Sequence, residues 1–177
     1  PNVPDSIQWG TVTEGAWCHY DNNSQYETPY GKLYNWYTVD DPRNECPLGW
    51  HSATDAEWTA LITCLDPNAL PNAGEEGING FQSQFAGGMM KSTGTEYWVS
   101  PNAGATNESG FSGYPGGTRH SNTGEFNALG NVGEWWSSTE NIDEVWYRGL
   151  GTTLEQVTRF GDPAYNRGRS IRCIKDQ

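Results

Sequence analysis

One stretch constrains the fold of this chain more than any other. Between Cys46 and Leu65 a turn, a helix cap and an apolar helical stripe follow in immediate succession. Gly49 permits a tight backbone turn before Trp50. Thr54 with Glu57 three residues later matches a capping box, in which each side chain satisfies the other residue's backbone N–H. Trp58, Leu61, Ile62 and Leu65 then recur at the spacing of one helix face, and Pro67 ends the run. The spacing predicts a helix over 54–65. Elsewhere the chain is rich in glycine and rings, with 22 Gly, nine Trp, nine Tyr and five Phe. Such a chain builds its core from aromatics and from irregular, hydrogen-bonded loops.

The 177 residues suffice for one sizeable core, and no linker-like run divides them. One domain over residues 1–177 is expected. Ten basic residues stand against 22 acidic ones, a net charge of −12. With no basic run to meet phosphates, nucleic acid and anionic membrane are excluded as partners. No apolar run is long enough to span a bilayer, so membrane insertion is not expected. No signal peptide is visible. Cys18, Cys46, Cys64 and Cys173 form no CxxC and have no zinc spacing. Two disulfides in an extracellular protein are expected. Three pairings are open. The preferred one joins Cys18 to Cys173, tying the N-terminal section to the last strand, with Cys46 and Cys64 at either end of the helix region.

Along the chain, the alternation of Ile7, Trp9, Thr11 and Thr13 predicts an edge strand. Tyr30 to Tyr37 reads as one short helix with Tyr30, Leu33, Tyr34 and Tyr37 on one face. Phe81 to Met90 contains a second short helix, although Gly87 and Gly88 weaken it. Residues 91–133 lack periodicity and read as ordered loops pinned by Trp98, Phe111, Tyr114 and Phe126. Strands are predicted at 135–139, 145–150, 154–160 and 170–174, an antiparallel meander with one face under the helix. The class is α+β, with a long loop-rich insert between helix and sheet.

Several motifs occur in a fixed order: Gly31–Tyr37, Gly49–His51, Thr54–Trp58, Gly87–Gly94, Asn107–Phe111, Pro115–Arg119, Trp135–Glu140 and Ile171–Asp176. Together they resemble the Fibrobacter succinogenes major paralogous domain, over residues 15–176. That resemblance implies a C-type-lectin-like fold near the formylglycine-generating enzymes, in secreted or surface proteins of bacteria. It also implies terminal strands lying close together, hence a cystine that reaches Cys173, and it allows a local Cys46–Cys64 bridge. Ser52-Ala53 departs from the Val-Pro that relatives often carry, but Thr54 still caps the helix. Oxidase chemistry of the formylglycine-generating kind needs a pair of reactive cysteines near the C-terminal part of the core. Only Cys173 lies there, so that activity is not carried over.

The three histidines, His19, His51 and His120, have no metal-ligand spacing. His51 reads as structural, one ring nitrogen bonding a backbone group to fix the turn. His120, in a glycine-rich loop, is the better surface candidate. Ser137, Ser138 and Ser170 have no nucleophile elbow around them. Glu134, Glu140, Asp143 and Glu144 read as solvated turn residues, although a carboxylate pair for glycoside hydrolysis is the chemistry such residues would serve. A structural calcium would find oxygens at Asp21–Asn23, at Asn107 and Glu108, or at Asn141–Glu144. The Glu-Pro-Asn and Gln-Pro-Asp tripeptides of sugar-chelating C-type lectins are absent.

Aromatics carry the main binding expectation. Trp98, Tyr114, Trp135, Trp136, Trp146, Tyr147 and Tyr165 form the pool for stacking on sugar rings, with Arg119, His120, Arg148 and Arg159 nearby. Neighbours in a strand face opposite sides. One member of each of the Trp135–Trp136 and Trp146–Tyr147 pairs is therefore expected on a loop-side platform, unless the insert covers that face. The expected function is a noncatalytic extracellular module for a polysaccharide or surface glycan. The alternatives are a structural or protein-interaction domain of the cell envelope and, below it, a carbohydrate hydrolase.

Overall fold

The computed structural model describes residues 1–43 and 45–176. In chain order the elements are α1 (Ser6–Thr11), β1 (Trp17–Cys18), α2 (Glu27–Tyr30), β2 (Leu33–Tyr34), α3 (Trp36–Val39), β3 (Trp50–Ser52), α4 (Asp55–Leu65), β4 (Phe81–Ser83), α5 (Ala86–Met90), β5 (Thr118–Arg119), β6 (Phe126–Asn127), β7 (Val132–Asn141), β8 (Glu144–Gly151), β9 (Val157–Asp162) and β10 (Cys173–Lys175). An open antiparallel sheet in the order β4-β9-β8-β7 is the centre, and three two-stranded sheets surround it: β1-β2, β10-β3 and β5-β6. The architecture is α+β.

The capped helix forms as its sequence dictates. Thr54 Oγ1 accepts from the Glu57 N–H at 3.2 Å, and the Glu57 carboxylate accepts from the Thr54 N–H at 2.9 Å. Trp58 and Ile62 turn inward and join Met90, Trp98, Trp135, Leu150 and Val157 in the largest core. The Trp58 indole also donates to the Trp136 carbonyl at 3.3 Å, fastening helix to sheet.

Strand register explains the Trp135–Trp136 and Trp146–Tyr147 pairs. Trp135 lies opposite Arg148, which lies opposite Arg159, and this row faces α4. Trp136, Tyr147 and Phe160 form the next row and point to the other face. There Trp136 packs with Trp36, Val145, Tyr165 and Ile171. The expected division of labour is thus corrected. The insert shares the helix face, through Trp98 and Phe111, while α3 and the chain around 165–171 cover the second face.

Three further expectations change, and one holds with a strand added beside it. Residues 6–11 are helix, because the Asp5 carboxylate accepts from the Gln8 N–H at 2.7 Å and caps the turn; only Trp9 of that helix is buried. The 30–37 run is not one helix: Gly31 at φ 79° ends α2, and Asn35 caps a separate α3 by accepting from the Thr38 N–H. The short helix expected within 81–90 forms at 86–90, and Phe81–Ser83 before it supplies the fourth strand beside β9. Ser170 bridges Trp135 in parallel, and Cys173–Lys175 then leaves the main sheet to pair with β3.

That last pairing decides the disulfide. Cys173 sits opposite Ser52, with its Cα 5.8 Å from that of Cys46, and the bond is Cys46–Cys173. The Cys18–Cys173 and Cys46–Cys64 expectations are both corrected. Cys18 is buried in a separate N-terminal core with Val3, Trp9, Ala16 and Leu33, and Cys64 is exposed on α4, two residues past the inward Ile62. Burial pushes the Cys18 thiol up to about 11, against the opposing charge of Arg119.

Under the first turn of α4 lie two buried cations. Asp55 Oδ1 accepts from Arg148 Nη1 at 2.8 Å, and Asp55 Oδ2 accepts from Arg159 Nη2 at 2.9 Å. Burial alone would raise the Asp55 carboxyl, but hydrogen bonds from Arg159 and the charge of Arg148 outweigh it and hold the pKa below the usual value. Gln82, Thr59 and the Ala73 carbonyl take further guanidinium protons.

Two outcomes are expected. Asp55→Asn leaves Arg148 without an anion and Arg159 with only the more distant, half-exposed Glu75 at 3.5 Å, and costs about 3–5 kcal/mol of unfolding free energy in urea titration. Because the folded Asp55 value is depressed, its contribution is complete above the unfolded carboxylate value and disappears as pH falls through the folded one. In native protein a thiol reagent labels Cys64 at once, and labels Cys18 only after denaturation, as read by mass spectrometry.

Candidate functional site

Most of the predicted platform is core. Trp98, Trp135, Trp136 and Trp146 are each at most 5 % exposed. Trp98, Trp136 and Trp146 face the protein's own cations, Trp135 packs against Trp58 and Phe111, and none forms the expected exposed surface. The Arg159 guanidinium lies 3.6 Å from the Trp146 ring centre, and Arg169 lies 4.2 Å and 3.7 Å from Trp136 and Tyr147. Arg169 is also paired with Glu134 and Asp162, both at 2.6 Å. Glu134 is thus an internal counter-ion, not a solvated turn residue. Arg148 is buried beside Asp55, and burial drops its pKa to about 10. Arg119 is wholly buried between Trp9 and Phe126, donating to the carbonyls of Val3 at 2.6 Å, Pro4 at 2.8 Å and Gly124 at 3.0 Å.

The remaining candidates also have local duties. His120 Nδ1 accepts from the N–H groups of Asn122 and Thr123, closing its own turn. Tyr165 packs on Trp36 and Tyr37, and its hydroxyl donates to Glu140, which pushes the phenol up to about 12. His51 bridges two carboxylates, Asp176 at 2.6 Å and Glu57 at 2.9 Å, not a backbone group as its sequence setting suggested. Those two hydrogen bonds, Asp176 first, raise its pKa.

The Asn107 side chain closes its own loop, exchanging hydrogen bonds with Ser112 at 2.8 Å through both its oxygen and its nitrogen. Glu108 is exposed beside it. Among the described residues no three His, Cys, Asp or Glu side chains gather as a metal set. The expected calcium positions therefore converge on no carboxylate cluster.

Two predicted residues, Tyr114 and the buried Trp135, line an open cleft of about 360 Å³. Three segments line it. Glu27 to Tyr34 contributes Tyr30, Lys32 and Tyr34; the insert contributes Phe111, Ser112 and Tyr114; Ser170 to Arg172 arrives from the chain leading into β10, with buried Trp135 beneath. Gly133 makes the close packing behind Tyr114 possible: a Cβ there would lie 2.5 Å from the Trp135 ring and 2.6 Å from the Tyr114 carbonyl. A row of rings runs into the cleft, Tyr26 to Tyr30, Tyr30 to Tyr97 and Tyr97 to Tyr114, with centres 5.3–6.2 Å apart. These tyrosines are only half-buried.

The cleft's ions are unequal. Glu27 accepts from Lys32 at 2.7 Å and meets His19 at 3.0 Å. Hydrogen bonds from Lys32 and then His19 hold its carboxyl below the usual range. Arg172 stacks 4.1 Å from the Phe111 ring centre and donates to the Phe111 carbonyl, but its Nε is buried without a partner. Burial lowers its pKa.

Sequence reading missed Tyr30, Tyr34, Lys32 and Arg172. The Gly31 and Asn35 signals, a helix stop and a helix cap, were available and separate the two tyrosines from a common helical face. Nothing local marked Arg172, whose setting depends on Phe111.

The sequence profile of the Fibrobacter succinogenes major domain matches residues 3–175. The chain belongs to that family. No curated protein and no solved structure matches it. In this family member, Trp135–Glu140 runs through the sheet, and Gly87–Gly94 begins in α5 and contains the buried Lys91, so both serve largely as internal supports.

Lys91 is a test of that reading. Its ammonium donates to the carbonyls of Ala103 at 2.7 Å, Leu154 at 2.7 Å and Gly151 at 3.0 Å, below the Trp98 ring. Burial lowers its pKa to about 8. Lys91→Met leaves three carbonyls without this donor, and chemical denaturation is expected to show a loss of about 3 kcal/mol.

Proposed function

We propose that this chain is a noncatalytic binding module that takes a saccharide into the Tyr30–Tyr114–Arg172 cleft. The observation that supports this best is the composition of the cleft. Half-buried tyrosines offer faces for pyranose rings, and Ser112, Ser170 and Arg172 offer polar groups beside them. A hydrolase would need two facing carboxylates with separated pKa values. Glu27 is the one carboxylate lining this cleft, and its pKa is lowered by Lys32 and His19, which suits a resident anion and not a proton donor.

We read residues 1–177 as a single domain of C-type-lectin-like type at the outside of a bacterial cell. The side chains of β7 enter two of the three cores, which favours one folding unit. The Cys46–Cys173 bond, closing a 127-residue separation, favours an oxidising compartment. The family membership supports the bacterial surface setting.

A second reading, docking to a cell-envelope protein, is favoured by Leu48, which is fully exposed, and by Trp50 and Ile174, each more than a third exposed on the β3-β10 ribbon.

Pull-downs on insoluble cellulose, xylan and chitin test the first reading. Retention is expected on at least one, unchanged by chelator. Tyr114→Ala is expected to weaken it about five- to tenfold at an unchanged melting temperature. Absence of retention on every polysaccharide, together with capture of an envelope protein lost on Leu48→Asp, would favour the second reading instead.

A further inference from the structure

Cations are scarce here, and among the described residues each buried one is held by a carboxylate or by three carbonyls, although Arg169 Nη1 is left without a partner. Arg148 and Arg159 share Asp55, and Arg169 has Glu134 and Asp162. Arg119 and Lys91 are each held by three carbonyls. Arg172 differs. Among the described residues it has no carboxylate within ion-pair distance, one backbone carbonyl accepts from it, and its buried Nε has no partner. The carboxylate across the cleft, Glu27, is already engaged by Lys32 and His19.

A guanidinium of this kind is the protein half of a fork-on-fork contact with a carboxylate. The rings beside it suit the C–H face of a sugar. Resting on the saccharide-binding reading above, we propose that the cleft selects carboxylate-bearing sugars, with a hexuronate residue stacked among Tyr30, Tyr34 and Tyr114 and its carboxylate on Arg172. The protein's net charge of −12 repels a polyanion at long range, so the recognition is a short-range contact with an isolated uronate and not a charge-driven attraction. A chain with sparse acidic substituents, such as a glucuronoxylan, fits better than a dense polyuronate.

Isothermal titration calorimetry tests this with four probes: a glucuronoxylan oligosaccharide, the same oligosaccharide with its carboxyl reduced to the alcohol, a neutral xylo-oligosaccharide of equal length, and a sulfated oligosaccharide. The native acidic oligosaccharide is expected to bind about tenfold or more tighter than its reduced form. Arg172→Gln is expected to erase that difference while keeping the weaker neutral binding, and Arg172→Lys to keep part of it. Arg172 also supports Phe111, so a variant that fails to fold is replaced by the reduced-carboxyl comparison, which needs no substitution. Equal binding of the native and reduced forms overturns the inference and leaves the saccharide reading standing. A preference for the sulfated probe overturns it too, as does an acid preference that survives Arg172→Gln. Binding of none of the four overturns the inference, and the saccharide reading then falls only if the cellulose, xylan and chitin pull-downs also show no retention.

Discussion

The Asp55 carboxylate is the interaction on which the rest of the architecture depends. It stands in the first turn of α4, where the helix dipole favours an anion, and reaches two arginines from adjacent strands. Two guanidinium groups beneath a helix would be costly if either lacked a counter-ion. With Asp55 between them they become a joint. Helix, β8, β9 and, through Gln82, β4 are held in one register. The apolar contacts of Trp58 and Ile62 then fall against Trp135, Leu150 and Val157. The capping box supplies the geometry of that joint, since it sets where the first turn of the helix begins.

The same solution recurs across the molecule. A chain with few long aliphatic side chains fills its interior with rings, and rings accept cations on their faces. Trp146, Trp136, Tyr147, Trp9, Phe126 and Phe111 each have an arginine over them. This explains why an abundance of aromatics produces so little exposed aromatic platform. The half-open rings that gather in one row are tyrosines around Tyr30 and Tyr114, where the polar hydroxyl tolerates water and the edge-to-face contacts carry the packing. The cleft lies where internal packing is incomplete, and Arg172 at its wall has no carboxylate partner among the described residues.

Strand alternation was legible for Trp135–Trp136 and Trp146–Tyr147, and the opposed faces are as the period of two requires. What covers each face was not legible. That depended on α3 and the 165–171 segment, which lie about a hundred residues and a few dozen residues from β7 and carry no local mark of their destination. In the same way 170–174 alternates like a fourth meander strand, but its partner is β3, because the disulfide and the Ile174–His51 pairing draw it to the far side of α4's cap. Phe81–Ser83 takes the vacated edge of the sheet. The short α1 was misread because Ile7, Trp9 and Thr11 fit a period of two, while the Asp5 cap and the single buried ring Trp9 were the deciding facts.

By itself the sequence determined the capped helix at 54–65, the α+β class, the family, and a set of rings too large to leave exposed. These follow from local hydrogen bonds, from side-chain periods and from composition, all of which act within a few residues. Only the tertiary structure decided that Cys173 meets Cys46, that Trp9, Trp136 and Trp146 each face an arginine, and that Tyr30, Tyr114 and Arg172 share one cleft. Those pairings join parts of the chain far apart in sequence, and two groups so separated interact only after the fold has brought them within reach.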